Sequence, residues 1–300
     1  MSWGDNSLKL AMKSLPKLFS ILHVPTSTKS IGSREKPEWH RWHVNRFGYD
    51  LYLRIIDTVG GLSTGSVTRI TDRNWDSLIV LDACRHDALV HVYGQDVPLV
   101  TSPGSDTHQW TVANYVENTD TRDLCNVVLV TANTIPSEEY FRMNGWEFPM
   151  AECVSVYKDA WDYNLNTVHP AEVVKKCCEA LQGGRKRLIA HFLQPHAPFI
   201  GKTRIGDAPL ETLSLRRVKK AYEANLRLGL RWAMKLVNVL EGKVVITSDH
   251  GNLFGEYGLY HHPPIRVPEL LEVPWLELSA GGENPSELLR EIDSRDGSGG

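Results

Sequence analysis

From Trp75 onward, apolar residues follow two patterns: short unbroken runs, and longer segments in which they recur every three or four positions. The runs predict strands over 77–82, 97–101, 126–131, 187–193, 243–248 and 273–278. Val127-Val128-Leu129-Val130 and Leu188-Ile189-Ala190 are apolar at successive positions, as strands covered on both faces are. The residues from Ala171 to Leu181 read as a helix opened by His169-Pro170. The strongest helical pattern covers 214–240, where Leu215, Val218, Tyr222, Leu226, Leu230, Ala233, Val237 and Leu240 form one stripe. Ser214 is placed to cap its start and Gly242 lies just past its end. Strand–helix alternation of this kind predicts an α/β fold with a central, mainly parallel sheet and helices on both faces.

Three segments emerge. Residues 1–73 form an N-terminal extension, 74–285 hold the α/β domain, and 286–300 read as a flexible tail. Within the extension, Leu8 to Phe19 is basic and amphipathic, residues 24–45 are rich in Pro, Ser and charge and read as linker, and the mixed stretch 46–70 follows as a helical segment. The amphipathic stretch, extended to residues 8–22, is expected to pack on the domain in preference to touching a membrane surface.

Composition narrows the class. The chain has 300 residues, 42% hydrophobic and 23% charged, with a formal net charge of −3, which suits a soluble globular protein and not a nucleic-acid binder relying on a broad basic surface. No run reaches the roughly 18 apolar residues of a membrane span. The five cysteines include no C-x-x-C pair, so free thiols in a reducing, cytoplasmic setting are expected, and zinc held by cysteines is not. Oligomeric state is left open.

Chemistry gathers where the apolar runs end. Val245-Ile246-Thr247-Ser248 stops on Asp249-His250-Gly251, and Leu78-Ile79-Val80-Leu81 stops on Asp82, followed by Ala83-Cys84-Arg85-His86-Asp87. Two buried strands ending this way would bring Asp82, Asp249 and His250 to one edge of the sheet, a set suited to zinc, manganese or magnesium. Gly251 would let the chain turn beside them. The hydroxyl-rich segment Thr101 to Trp110 follows another strand and would start a helix near Thr107 or His108; a hydroxyl beside a divalent ion can act as a nucleophile. Gln194-Pro195-His196-Ala197-Pro198 frames a histidine with prolines, and Tyr260-His261-His262-Pro263-Pro264 follows soon after the Asp-His pair.

The order D-x-x-R-x-D, a hydroxyl in a Gly/Ser loop, P-H-x-P, T-S-D-H-G with Gly255-Glu256-Tyr257-Gly258, and a late His-Pro resembles the alkaline phosphatase/sulfatase superfamily, in particular sulfatase-like hydrolases whose first strand reads L-D-A-C-R. The likeness covers roughly residues 74–280 and implies an alkaline-phosphatase-like fold. It implies that Asp82, Asp249, His250 and Thr107 bind a catalytic divalent metal (Mn, Zn, Mg or Ca), with Thr107 also the nucleophile of a covalent intermediate. Ser105 and Ser102 are close enough in sequence to take that role. His196 and His262 would contact the substrate anion or protonate the leaving group, and Arg85 would support the anion or the first-strand carboxylate.

The C/S-x-P/A-S-R frame of formylglycine sulfatases is absent, and no D-x-x-x-H pair of the kind two-metal members carry lies between the hydroxyl segment and Asp249-His250-Gly251, so one ion and threonine chemistry are expected. The implied function is hydrolysis of a small anionic phosphate or sulfate ester. A phosphoryl transferase or mutase, and a degenerate anion-binding protein, are the alternatives. Asn133, Lys158, Lys202 and Arg204 are candidate anion contacts, each weighed against plain surface.

Overall fold

The computed structural model describes residues 39–62, 64–117, 124–184, 187–205 and 209–296, with the side chains of 39–48 and 295–296 left out. The basic amphipathic stretch 8–22 lies outside the described residues. Among the described residues eleven strands follow in chain order: β1 Ser77–Leu81, β2 Leu99–Thr101, β3 Val128–Thr131, β4 Glu152–Ser155, β5 Trp161–Asp162, β6 Thr167–Val168, β7 Leu188–Phe192, β8 Lys243–Thr247, β9 Leu253–Phe254, β10 Tyr260–His261 and β11 Glu272–Ser279. Seven make the central sheet in the order β2-β11-β8-β1-β7-β3-β4. β11 runs antiparallel to both neighbours, and the pairs from β8 to β4 are parallel, as the alternation of strands and helices predicts.

Both faces of the sheet are covered. On β1, Ile79 and Leu81 enter one cluster with Leu226, Ala233 and Leu236 of the helix Leu215–Val239, whereas Leu78 and Val80 enter the other with Trp110, Tyr115, Phe141 and Trp275. Alternate residues of a strand face opposite sides, so a strand apolar at every position is what two covered faces require. The long helix begins its buried stripe at Val218; Leu215 is half exposed, and the Ser214 hydroxyl makes no capping bond although Ser214 holds the cap position.

The register decides where the chemistry goes. β1 pairs in parallel with β8, Val80 opposite Thr247, so the next residues of both strands run on side by side and Asp82 emerges beside Asp249. On the other side β1 pairs with β7, Val80 opposite His191.

Three features differ from the sequence-based expectations. The helix Trp39–Gly61 begins inside the stretch read as linker; its Tyr52 and Ile56 are fully buried against Leu253, Leu259, Val267 and Leu270, so it covers the loop that follows the Asp-His pair. Asp57 at its far end accepts from Arg266 Nε and Nη2 at 3.0 and 2.8 Å. Residues 286–296 are not a flexible tail but part of the helix Pro285–Asp296, whose Leu288 and Ile292 fill the first core cluster beside the helix Pro170–Gln182. Lastly, β4 is an additional strand at the sheet's edge, too short and too polar at Glu152 and Ser155 to stand out as an apolar run.

Candidate active site

The ends of β1 and β8 are locked together before any ligand is considered. Ser248 donates its hydroxyl to Leu81 O at 2.6 Å and accepts Cys84 N–H at 2.8 Å. Ala83 is held at φ 60°, a left-handed conformation that costs a non-glycine residue about 1 kcal/mol or more. Two bonds offset that cost: Ala83 N–H donates to Asp249 Oδ1 at 3.1 Å, and Tyr222 O–H donates to Ala83 O at 2.8 Å. The turn thereby aims the Asp82 carboxylate at Asp249 and His250. Gly251 is needed for closeness: a Cβ there would lie 2.0 Å from Glu269 O.

The helix Thr107–Thr111 brings in the hydroxyl. Asp106 caps it by accepting Gln109 N–H at 2.8 Å, leaving Thr107 in the first turn. Thr107 Oγ1 donates to Asp249 Oδ2 at 2.7 Å and lies 3.4 Å from His250 Nε2. The other two candidate hydroxyls point elsewhere. Ser102 donates to the backbone oxygen of Asp249, and Ser105 donates to Gln109 Oε1 at 3.2 Å.

One ligand atom from each of Asp82, Asp249 and His250 lies within 4.8 Å of the others, and all three residues are buried. His250 Nδ1 sits 2.7 Å from Gly251 O, so this nitrogen carries the proton and Nε2 offers its lone pair inward, 3.6 Å from Asp82 Oδ1 and 3.5 Å from Asp249 Oδ2. Asp82 Oδ1 has no hydrogen-bond partner. A buried carboxylate oxygen left unpaired beside a second carboxylate and an imidazole lone pair suits a hard or borderline divalent cation. The residues present therefore fit a metal, with Thr107 Oγ1 as a fourth donor.

The electrostatics agree. Burial, and then the charge of Asp249, push the Asp82 carboxyl up to about 7. Burial also acts to raise Asp249, but His250, His191 and the Thr107 hydrogen bond outweigh it and hold that carboxyl well below the usual range. One carboxylate of the pair thus waits for a positive charge.

His196 and His262 reach the same place from distant loops. His196 N–H donates to Asp82 O at 3.1 Å, and its Nδ1 lies 2.6 Å from Ala197 O, which assigns the proton to Nδ1. Its Nε2 then accepts from His262 Nε2–H at 3.1 Å, and the His262 ring lies 4.5 Å from that of His250, centre to centre. Burial, followed by the neighbouring His250 and His196, pushes His262 down to about 3, and burial lowers His196. Burial thus favours the neutral form of both rings, in which each can donate or accept a hydrogen bond.

Arg85 is not turned to the anion. Its Nε and Nη2 donate to Asp87 at 2.9 and 2.8 Å, and its Nη1 donates to Glu256 Oε1 at 2.8 Å and Asn252 O at 3.1 Å. It clamps the loop after β8 to the start of the helix His86–Tyr93. Asn133, weighed as surface, belongs to the site: its Nδ2 donates to Asp82 Oδ2 at 2.7 Å and lies 3.4 Å from Thr107 Oγ1. Lys158 is exposed and paired with Glu139 at 3.0 Å, and Lys202 and Arg204 line a separate groove. His191, in the middle of β7, is fully buried with Nε2 3.7 Å from Asp249 Oδ2 and its ring edge-on to Trp110.

No family model matches the sequence, and no curated protein matches it. Solved structures do share the fold. The chain is similar to the soluble domain of lipooligosaccharide phosphoethanolamine transferase A from Neisseria meningitidis, with 16% identity and a TM-score of 0.53 over 72% of this chain and 81% of that one. It is also similar to the integral membrane form of that transferase, with 16% identity and a TM-score of 0.52 over 83% of this chain and 58% of that one. The chain thus spans less than two thirds of that integral membrane protein. Among the described residues, no helix is long and apolar enough to cross a membrane.

Proposed function

We propose that this chain, which has the alkaline phosphatase/sulfatase-superfamily fold, is a divalent-metal-dependent enzyme that moves a phosphate-ester group through Thr107. The observation that carries the reading is the Thr107 hydroxyl, 2.7 Å from Asp249 and 3.4 Å from His250 Nε2, beside a buried Asp82 oxygen with no partner. The fold's likeness to two phosphoethanolamine transferase structures supports ester-group transfer, with an alcohol or water as acceptor.

Asp82, Asp249, His250 and Thr107 would hold one ion. When bound, such an ion lowers the pKa of a neighbouring hydroxyl and offsets charge on phosphoryl oxygens. The protein supplies the rest. Asp249 Oδ2 orients the Thr107 hydroxyl and lies on the path of its proton. The Thr107 Oγ1–P bond forms as the P–O bond to the leaving group breaks, and the leaving oxygen departs with its electron pair to be protonated from solvent. The His262 Nε2–H, held on His196 Nε2 before substrate binds, is the ring donor available to turn to an oxygen of the transferred group, with His196 fixed behind it by Ala197 O, and Asn133 Nδ2 lies beside Thr107 Oγ1 as a second donor. Water or an alcohol then attacks phosphorus, the bond to Thr107 breaks, and the proton the acceptor releases restores Oγ1–H, replacing the Thr107 proton passed to solvent by way of Asp249 Oδ2 in the first step.

Sulfate esters are the second class to test. All five cysteines are unpaired thiols, which supports placing the enzyme in a reducing compartment such as the cytoplasm. The test is release of p-nitrophenol from p-nitrophenyl phosphate, its bis ester and the sulfate, with manganese, zinc, magnesium or calcium or with chelator, each with and without added ethanolamine. Metal-dependent release from a phosphate ester supports the reading, and an ethanolamine-phosphoryl product identifies a transferase. Release unaffected by chelator contradicts it.

A further inference from the structure

Away from Thr107, the helix Leu215–Val239 and the chain after the His196 loop enclose a groove of about 760 Å³. Ala224, Arg227, Leu228 and Arg231 face it from the helix, at the spacing of a single helical face. Ile200, Lys202 and Arg204 face it from the loop, and Leu165 from the segment between β5 and β6. Four cations thus border one concavity, and no carboxylate is among its described lining residues.

Like charges four apart on a helix, as at Arg227 and Arg231, repel each other. Several of the chain's cations pair with carboxylates, as Lys175 does with Asp293, Lys235 with Glu291, Lys243 with Glu277 and Arg266 with Asp57, whereas those on the first turns of the same helix, Arg216, Arg217, Lys219 and Lys220, stand in solvent without an ion pair among the described residues. Lys202, Arg204 and Arg231 are exposed and form no ion pair with a described carboxylate, and Arg227 Nη1 lies 3.5 Å from Val92 O at the groove's edge, in a chain whose formal net charge is −3. Between the charges the walls are apolar, at Leu165, Ile200, Ala224 and Leu228. The groove matches a ligand with an apolar body and a multiply charged anionic head.

The groove also adjoins the candidate active site through one buried residue. Asn225, next to Ala224 and fully buried, donates from Nδ2 to Pro195 O at 3.2 Å and His196 O at 3.1 Å, and its Oδ1 accepts Ile200 N–H at 3.0 Å. Gly201 packs so closely that a Cβ there would lie 2.4 Å from Ala224 O. The loop that carries His196 is thereby fixed to the same turn of helix that faces the groove.

We propose that this groove is a binding site for an amphiphilic phosphate, an apolar body bearing a dianionic phosphate monoester, separate from the atoms around Thr107. Its occupancy does not depend on turnover, so it is measured in the Thr107→Ala protein, where failure of the enzymatic reading leaves the result unaffected. The probes are dihexanoyl phosphatidic acid as monomer, dihexanoyl phosphatidylcholine and inorganic pyrophosphate, followed by calorimetry at physiological ionic strength. The expected result is that phosphatidic acid binds at least about tenfold tighter than either other probe, because it alone offers both the charge and the apolar body. Arg227→Gln with Arg231→Gln, at exposed helical positions where glutamine is well tolerated, should weaken it by about tenfold or more with unchanged thermal unfolding. Lys202→Gln with Arg204→Gln, on the loop, should do the same. Equal binding of phosphatidic acid and phosphatidylcholine, pyrophosphate binding as tightly as phosphatidic acid, or affinity unchanged in both double variants would each overturn the proposal.

Discussion

Thr107 Oγ1 donates a 2.7 Å hydrogen bond to Asp249 Oδ2, joining the first turn of a short helix to the end of a strand 142 positions later in the chain. Both groups are buried, and neither element alone would hold its side chain there. The Asp249 carboxylate faces three ways. Its Oδ1 takes the backbone N–H of Ala83 and His250, and its Oδ2 takes Thr107 while lying near His191 and His250. Such a group is fixed before substrate arrives, which is what a nucleophile and a cation sharing one site require.

Asp249→Asn keeps the shape but removes the charge, and with its oxygen held by Ala83 and His250 N–H it sets an NH2 donor against Thr107 Oγ1 where a carboxylate oxygen stood. It should lose most bound metal, as measured by elemental analysis after loading and desalting. Metal content equal to the parent's would remove Asp249 from the ligand set.

Asp82 links metal binding to pH. Its carboxyl, pushed up to about 7 in the metal-free protein, must lose its proton to hold a cation. Calorimetry in buffers of different ionisation enthalpy should show release of about one proton per ion near pH 6 and far less near pH 8. The same shift has a stability consequence. Because the folded value lies above the ordinary 3.8, Asp82 contributes fully below that pH and its contribution is lost as pH rises through about 7. Metal-free Asp82→Asn should therefore resist urea better than the parent near pH 8, with an advantage that shrinks as pH falls through about 7 and is gone below about pH 4. The reverse order would contradict the burial argument.

Arg85 should matter for stability before chemistry. Its side chain is about 10% exposed and bridges Asp87 and Glu256, so Arg85→Met strands a half-buried Glu256 and should cost about 2–3 kcal/mol in urea unfolding. In the folded protein, KM should change little. A large rise in KM with unchanged stability would instead place the guanidinium on the substrate.

The C-terminal helix makes a further check. Ile292 is 1% exposed in the main core, so Ile292→Ala should lower stability by about 2–5 kcal/mol, whereas a flexible tail would show no effect.

The sheet and the meeting of Asp82, Asp249 and His250 at its edge were legible because an apolar run that stops on Asp82 or Asp249-His250 is a one-dimensional signal of a strand edge. Choosing among Ser102, Ser105 and Thr107 was not, since all three lie in one turn and only the direction of the helix start separates them. Asn133 carried a usable signal: it stands two residues past the buried strand Val128–Thr131, much as Asp82 follows β1. His191 carried one too, as a titratable residue inside the buried run Leu188–Phe192. The Arg85 clamp had none, because Glu256 lies 171 positions away. In the last helix, Leu288 and Ile292 share one face, but the charged residues around them and the Gly-rich end hide two positions of core.

The most direct test is acid-quenched mass spectrometry of metal-loaded enzyme mixed with p-nitrophenyl phosphate, or with whichever ester it turns over. A phosphoryl adduct confined to the peptide bearing Thr107, absent in Thr107→Ala together with a loss of about a thousandfold or more in turnover at unchanged metal content, is the predicted result. Turnover that persists in Thr107→Ala, or an adduct on Ser102 or Ser105, would contradict it.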